Sequence, residues 1–255
     1  CCRRAASATP RAEKDDPAAM TQPEDAAPPE AASRDAPGDA PLDDAVLTVE
    51  GLSAPAAAPE GAPRTRLIAC GALAREILAL IRLNGWSHLD LKCLPAQLHL
   101  RPELIPDAVE AEVARARGRF DAIKVVYADC GTGGLLEKRC AELGVEMIPG
   151  PHCYSFFDGN ETFAARGDAE MTCFYLTDFL VRQFDAFVWK PMGLDRHPQL
   201  RDMLFGHYTT LVHLAQVDDP ALDRKAEEAA ARLRLAHERR FTGYGDLAAF
   251  LAQAG

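Results

Sequence analysis

The sequence predicts an α/β fold, Rossmann-like or flavodoxin-like, in a single domain whose parallel sheet carries helices on both faces. Three observations lead there. Past residue 64 the chain alternates short apolar runs with amphipathic stretches. The apolar runs have strand length, about four to eight residues, and several stop at glycine or proline. The stretches between them repeat apolar residues at helical spacing, which together is the pattern of a parallel sheet built from βαβ units.

Residues 1–64 stand apart. They hold ten of the 18 prolines, 12 acids, 6 bases and no aromatic residue. Such a segment buries too little apolar area to offset its ordering entropy, so the sequence predicts a disordered tail before a domain over 65–255. Within the tail only "DDAVLTVEGL" has the makings of a short, transiently docked helix or strand. Met20 is a candidate natural start. The opening "CCRR" lacks the apolar core of a signal peptide, and no run reaches membrane-spanning length. The expected compartment is the cytoplasm. Residues 65–255 carry 26 acids and 22 bases with no basic stripe, which argues against a nucleic-acid partner.

The elements follow in order. "RTRLIACG", ending at Gly71, is the first strand, and "ALAREILALIRLNG" its helix, stopped by Asn-Gly. "LDLKCL" is the second strand, closed by Pro95, and a helix starts after Pro106. "AIKVVYADCG" is the third strand, "GLLEKRCAELG" its helix and "VEMIPG" the fourth strand. "EMTCFYLTDFLVRQFDAFVW" reads as an aromatic-rich helical region of the core. A β-branched strand near 209–217, the helix "PALDRKAEEAAARLRL" and a last strand and helix from "RRFTGY" and "GDLAAFLAQ" complete the chain.

In open parallel sheets ligands bind beyond the carboxyl ends of the strands. Cys70 ends the first strand, Asp129 and Cys130 the third, and His152 and Cys153 follow the fourth, with His99 a few residues past the second. Cys70, Cys130, Cys153, His152 and His99 are therefore the candidate metal ligands. Thiolate and imidazole suit zinc, and thiolates suit a [4Fe–4S] cluster, zinc being preferred for the nearby histidines. The alternative reading is that each cysteine is a small buried hydrophobe, the role expected of Cys93, Cys140 and Cys173. The "GTGG" turn, Gly131, Thr132, Gly133 and Gly134, lets a ligand approach the backbone and directs amides at it. With Tyr154 these are the cofactor-binding candidates. Cys130, Asp129 and His197 are the candidate catalytic residues, with a solvated helix cap as the plainer role for His197.

The motifs "ACGAL", "YADCGTGG", "GPHCYSFF", "FYLTDFLVRQFD" and "GLDRHPQL", in this order, resemble the uncharacterised bacterial and archaeal family catalogued as domain of unknown function 1638. The resemblance covers about residues 65–250. Members associated with corrinoid-dependent methyltransferase systems carry a similar turn where this chain has Tyr127 to Gly133, and a "HDC"-like turn where it has His152-Cys153, here one residue shorter. The resemblance thus matches Cys70, Cys130, His152 and Cys153. It implies a small-molecule substrate or a corrinoid or methyltransferase protein as partner. The expected function is a metal-binding protein of one-carbon methyl transfer, with an accessory cofactor-handling protein or a metal-free Cys130 thiol enzyme as alternatives.

Overall fold

In the computed structural model, which describes residues 42–59 and 61–254, the first element is α1 (Asp44–Val49), opened by the Asp43 carboxylate accepting from Ala45 N. Its Leu47 is buried at 1% exposure. β1 (Leu52–Ala54) runs antiparallel to β3 (Leu89–Leu94), with Ser53 opposite Lys92. Residues 42–54, placed by sequence in the tail, thus carry a helix and a strand joined to the sheet. One buried leucine and a three-residue strand leave little periodic signal, which is why the boundary fell late. The disorder expected of residues 1–41 lies outside the described residues.

β2 (Thr65–Cys70) pairs in parallel with β3 on one side and with β4 (Ala122–Val126) on the other, and β4 pairs with the short β5 (Glu146–Met147). The sheet order is β1-β3-β2-β4-β5, so the direction of strand addition reverses between β2 and β4, as in flavodoxin-like sheets. β2 is buried along nearly its whole length, as an interior parallel strand should be. Between the strands lie α2 (Ala74–Asn84), α3 (Ile105–Ala116) and α4 (Leu135–Leu143), α3 packing on β2 and β4.

The expected single sheet is two. After α5 (Cys153–Asp158) and α6 (Asn160–Arg166), a second, all-parallel sheet runs β6-β7-β8, from Cys173–Thr177, Thr210–Ala215 and Ala236–Phe241. β6 is the front of the segment that reads as helix from sequence. There the Thr177 side chain accepts from Leu180 N and turns the strand straight into α7 (Asp178–Arg182), so no glycine or proline marks the change. A π-helix over Asp185–Trp189 and α8 (Leu200–Phe205) lead to β7, and α9 (Pro220–Leu233) joins β7 to β8. The second sheet has its own core around Leu176, Phe205, Leu211 and Leu233. α7 stands in both cores, Phe179 in the first and Val181 in the second. α10 (Gly245–Ala252) returns to the first core and packs on α5.

Candidate functional site

The reversal in strand order puts two carboxyl ends side by side, those of β2 and β4. Cys70 is the last residue of β2, opposite Leu94. Behind it, a Cβ on Gly71 would stand 2.4 Å from Leu47 O, so only glycine lets α1 close over this strand end. Beyond β4, Asp129 N donates to Gly150 O at 3.0 Å and Cys130 N to Pro151 O at 3.1 Å. These bonds carry the pairing past β5 and draw Cys153, the first residue of α5, alongside Cys130. His99 arrives from the single-turn helix Ala96–Leu100 that follows β3.

The side chains meet as a chain of contacts. Cys70 Sγ lies 3.7 Å from His99 Nδ1. His99 and Cys153, and Cys153 and Cys130, are close enough to act on each other's titration. Cys70 and Cys153 are buried at 3% and 8% exposure, and Cys130 is the half-buried member that opens outward. The hydrogen bond from Cys130, then that from His99, hold the Cys153 thiol well below the ordinary range against the opposing effect of burial. Burial works to lower His99, but hydrogen bonds to Cys153 and Cys70 outweigh it and hold the imidazole well above its usual range. Cys130 is pushed up, first by its bond to Cys153 and then by burial. These directions favour a proton on His99 and on Cys130 and its loss from Cys153.

The glycine turn is bonded to the acid that precedes it. Thr132 Oγ1 donates to Asp129 Oδ1 at 2.6 Å, Gly134 N to Oδ1 at 2.7 Å and Gly133 N to Oδ2 at 3.1 Å. Asp129 itself thus occupies amides that the turn would offer a ligand, and it anchors the turn rather than standing free for proton transfer. Although partial burial opposes it, the hydrogen bond from Thr132 and those from the turn amides hold this carboxyl below the usual range. The turn fixes Cys130 at φ 50°, a left-handed conformation that costs a non-glycine residue about 1–2 kcal/mol.

His152 caps the start of α5 and its ring stacks on Tyr154, centroids 4.7 Å apart. Tyr154 stacks in turn on Tyr175 of β6 at 5.3 Å. His99, rather than His152, is the histidine hydrogen-bonded to the thiols, while burial lowers His152. His197 is exposed in the loop before α8, where its amide donates to Gly193 O, and it joins no contact of the cluster. Cys93 and Cys140 are buried in β3 and α4, and Cys173 is half-buried at the start of β6. Among the described residues no group of three or more His, Cys, Asp or Glu is arranged to hold a metal ion. The four donors match a Cys₃His set in kind.

Sequence reasoning missed Tyr127, which burial first, then Cys70, Cys93 and Cys130, hold well above the ordinary phenol range. Its buried hydroxyl has no well-aligned partner. The only signal was its place two residues before Asp129 on the buried strand. It also missed a buried polar group around Glu76 and Arg182, which belongs to a different cavity.

Over residues 93–251 the chain matches a family described as a protein of unknown function, DUF1638. The match holds His99, Cys130 and Cys153 but starts after Cys70, later than the residue 65 expected from the motifs. No curated protein matches the chain, and no solved structure does.

Proposed function

We propose, for a chain that belongs to the DUF1638 family, that the strand-end cluster is a thiolate site in which Cys153 is the reacting sulfur. His99 is its counter-cation, Cys130 the donor that tunes it, and Cys70 the second sulfur on His99. The observation that carries this reading is the contact chain Cys70–His99–Cys153–Cys130 at the reversal of strand order. A thiolate is the nucleophilic form of cysteine, and a neighbouring imidazolium keeps it ionised at neutral pH. Its natural target is a soft electrophilic carbon. Attack on a carrier-bound methyl forms an S–CH₃ bond while the carrier departs with the bonding electron pair. The corrinoid association implied by the family resemblance names one such carrier. A reducing compartment such as the cytoplasm suits thiols that must stay free.

The donor set favours a second reading. Cys70, Cys130 and Cys153 would hold zinc with His99 as fourth ligand, or the three thiolates would hold a [4Fe–4S] cluster. Bound zinc would keep the sulfurs deprotonated. The side chains would have to exchange their mutual bonds for the ion.

Oxygen-free protein separates the two. The thiolate reading expects metal-free protein whose ultraviolet thiolate absorbance persists at pH 7 and disappears in Cys153→Ser and His99→Gln. One equivalent of zinc, or iron with sulfide, retained by the wild type and lost in Cys153→Ser would establish the second. Neither thiolate nor metal would sink both.

A further inference from the structure

We propose that a second cavity, at the carboxyl ends of β6 and β7, binds a small monocarboxylate between the Arg182 guanidinium and the Glu76 side chain. The cavity encloses about 180 Å³ and is bounded by α2, α7, Val217 and Tyr244. The ends of parallel strands are where such sheets take ligands. It shares no residue with the thiol cluster, and the proposal does not rest on that reading.

Two of the residues that line it carry buried polar atoms without partners. Glu76 is buried at 4% exposure, and its Oε2 has no hydrogen-bond partner. Arg182 is half-buried, but its Nη2 atom is itself buried and unpartnered. Arg182 Nε sits 3.0 Å from Asp44 Oδ2, yet without an aligned hydrogen bond. The neighbouring groups are occupied. Arg75 donates to Asp44 Oδ1 at 3.0 Å and to Leu42 O. Asp178 accepts from His213 Nε2 at 2.8 Å on one oxygen and from Gln216 N and Val217 N on the other. An unmet buried donor and acceptor each cost about 1–3 kcal/mol, so the pair calls for an occupant. The space exceeds the ~30 Å³ of one water several-fold.

A carboxylate meets both demands. One oxygen accepts from Arg182 in a charge-assisted bond, and the other accepts the proton of Glu76 in its acid form. Ala79 and Val217 line the wall and suit a short alkyl chain. Burial, the largest influence, pushes Glu76 up to about 7, Arg182 and Arg75 opposing and Asp178 assisting. Asp44, Arg82 and Tyr244 complete the titratable and charged groups around it. Binding to the acid form draws in a proton wherever Glu76 is ionised.

The test is calorimetric titration of the full chain with acetate and propionate, at pH 6 and pH 8, in two buffers of different ionisation heat. Expected is binding about tenfold weaker at pH 8 than at pH 6, with proton uptake approaching one at the higher pH. Glu76→Gln should bind equally at both pH values with no proton uptake. Arg182→Gln, shown folded by circular dichroism, should bind at least tenfold more weakly at pH 6. A Cys130→Ser, Cys153→Ser chain should bind as the wild type does. Absence of binding in wild-type protein at either pH overturns the proposal, as does pH dependence that survives in Glu76→Gln or a preference for inorganic phosphate.

Discussion

Cys153 and Cys140 are both buried thiols, and their neighbours set them apart. Cys140 has only burial acting on it, which pushes it up to about 11. Cys153 has Cys130 and His99 to pull it down against burial. At pH 7 iodoacetamide should therefore label the Cys130–Cys153 pair and spare Cys140, as mapped by peptide mass. His99→Gln should slow that labelling by about tenfold or more, since removing the imidazolium returns Cys153 toward the ordinary thiol range. Equal labelling of Cys140 would show that burial, not the ion pair, governs reactivity. Glu76 makes the opposite case, a carboxyl that burial makes harder to ionise. Its usual value of 4.5 rises to about 7 in the folded chain, so its contribution is full below pH 4.5 and is lost as the pH climbs through 7. Glu76→Gln escapes that loss. Relative to wild type it should gain roughly 3 kcal/mol between pH 4.5 and pH 8, measured by urea unfolding.

Among the elements, α5 carries Cys153 into place, and α10 holds α5. A Cβ at Gly245 would fall 2.2 Å from Phe156 O and 2.3 Å from Phe157 O. Gly245→Ala should push the two helices apart, lower the melting temperature and loosen Cys153 from His99, seen as slower thiol labelling at pH 7. Lower stability with unchanged labelling would show that the site does not depend on this contact. The strand ends were legible from sequence because the first and third apolar runs stop at Cys70-Gly71 and at Asp129-Cys130. Sequence grouped Cys130 with Cys153 but not the backbone bonds from Asp129 and Cys130 to Gly150 and Pro151 that bring them together. The role of Asp129 was hidden for the same reason: its amide partners come from the turn's folded shape. β6 was missed because Cys173–Thr177 merges into α7 without a break. β1 was missed because three residues among alanines and prolines show no period.

For the whole molecule, residues 42–54 belong to the folded unit through α1 and β1. Leu47→Ala should cost about 2–5 kcal/mol, since the leucine is wholly enclosed. In a domain of this size that is a melting-temperature drop of roughly 4–20 °C. A chain beginning at residue 65 should lose at least as much, because the Arg75–Asp44 and Arg182–Asp44 pairs go with it. An unchanged melting temperature would mean that the segment adds nothing. β1 has a further effect, concerning other copies of the protein. It is the outermost strand of its sheet and covers the backbone of Leu91–Cys93. Without it, the apolar run "LDLKCL" would present bare amides and carbonyls along an open edge, a template for pairing with another chain. The shortened protein should therefore aggregate as its concentration rises, even at temperatures where it is folded.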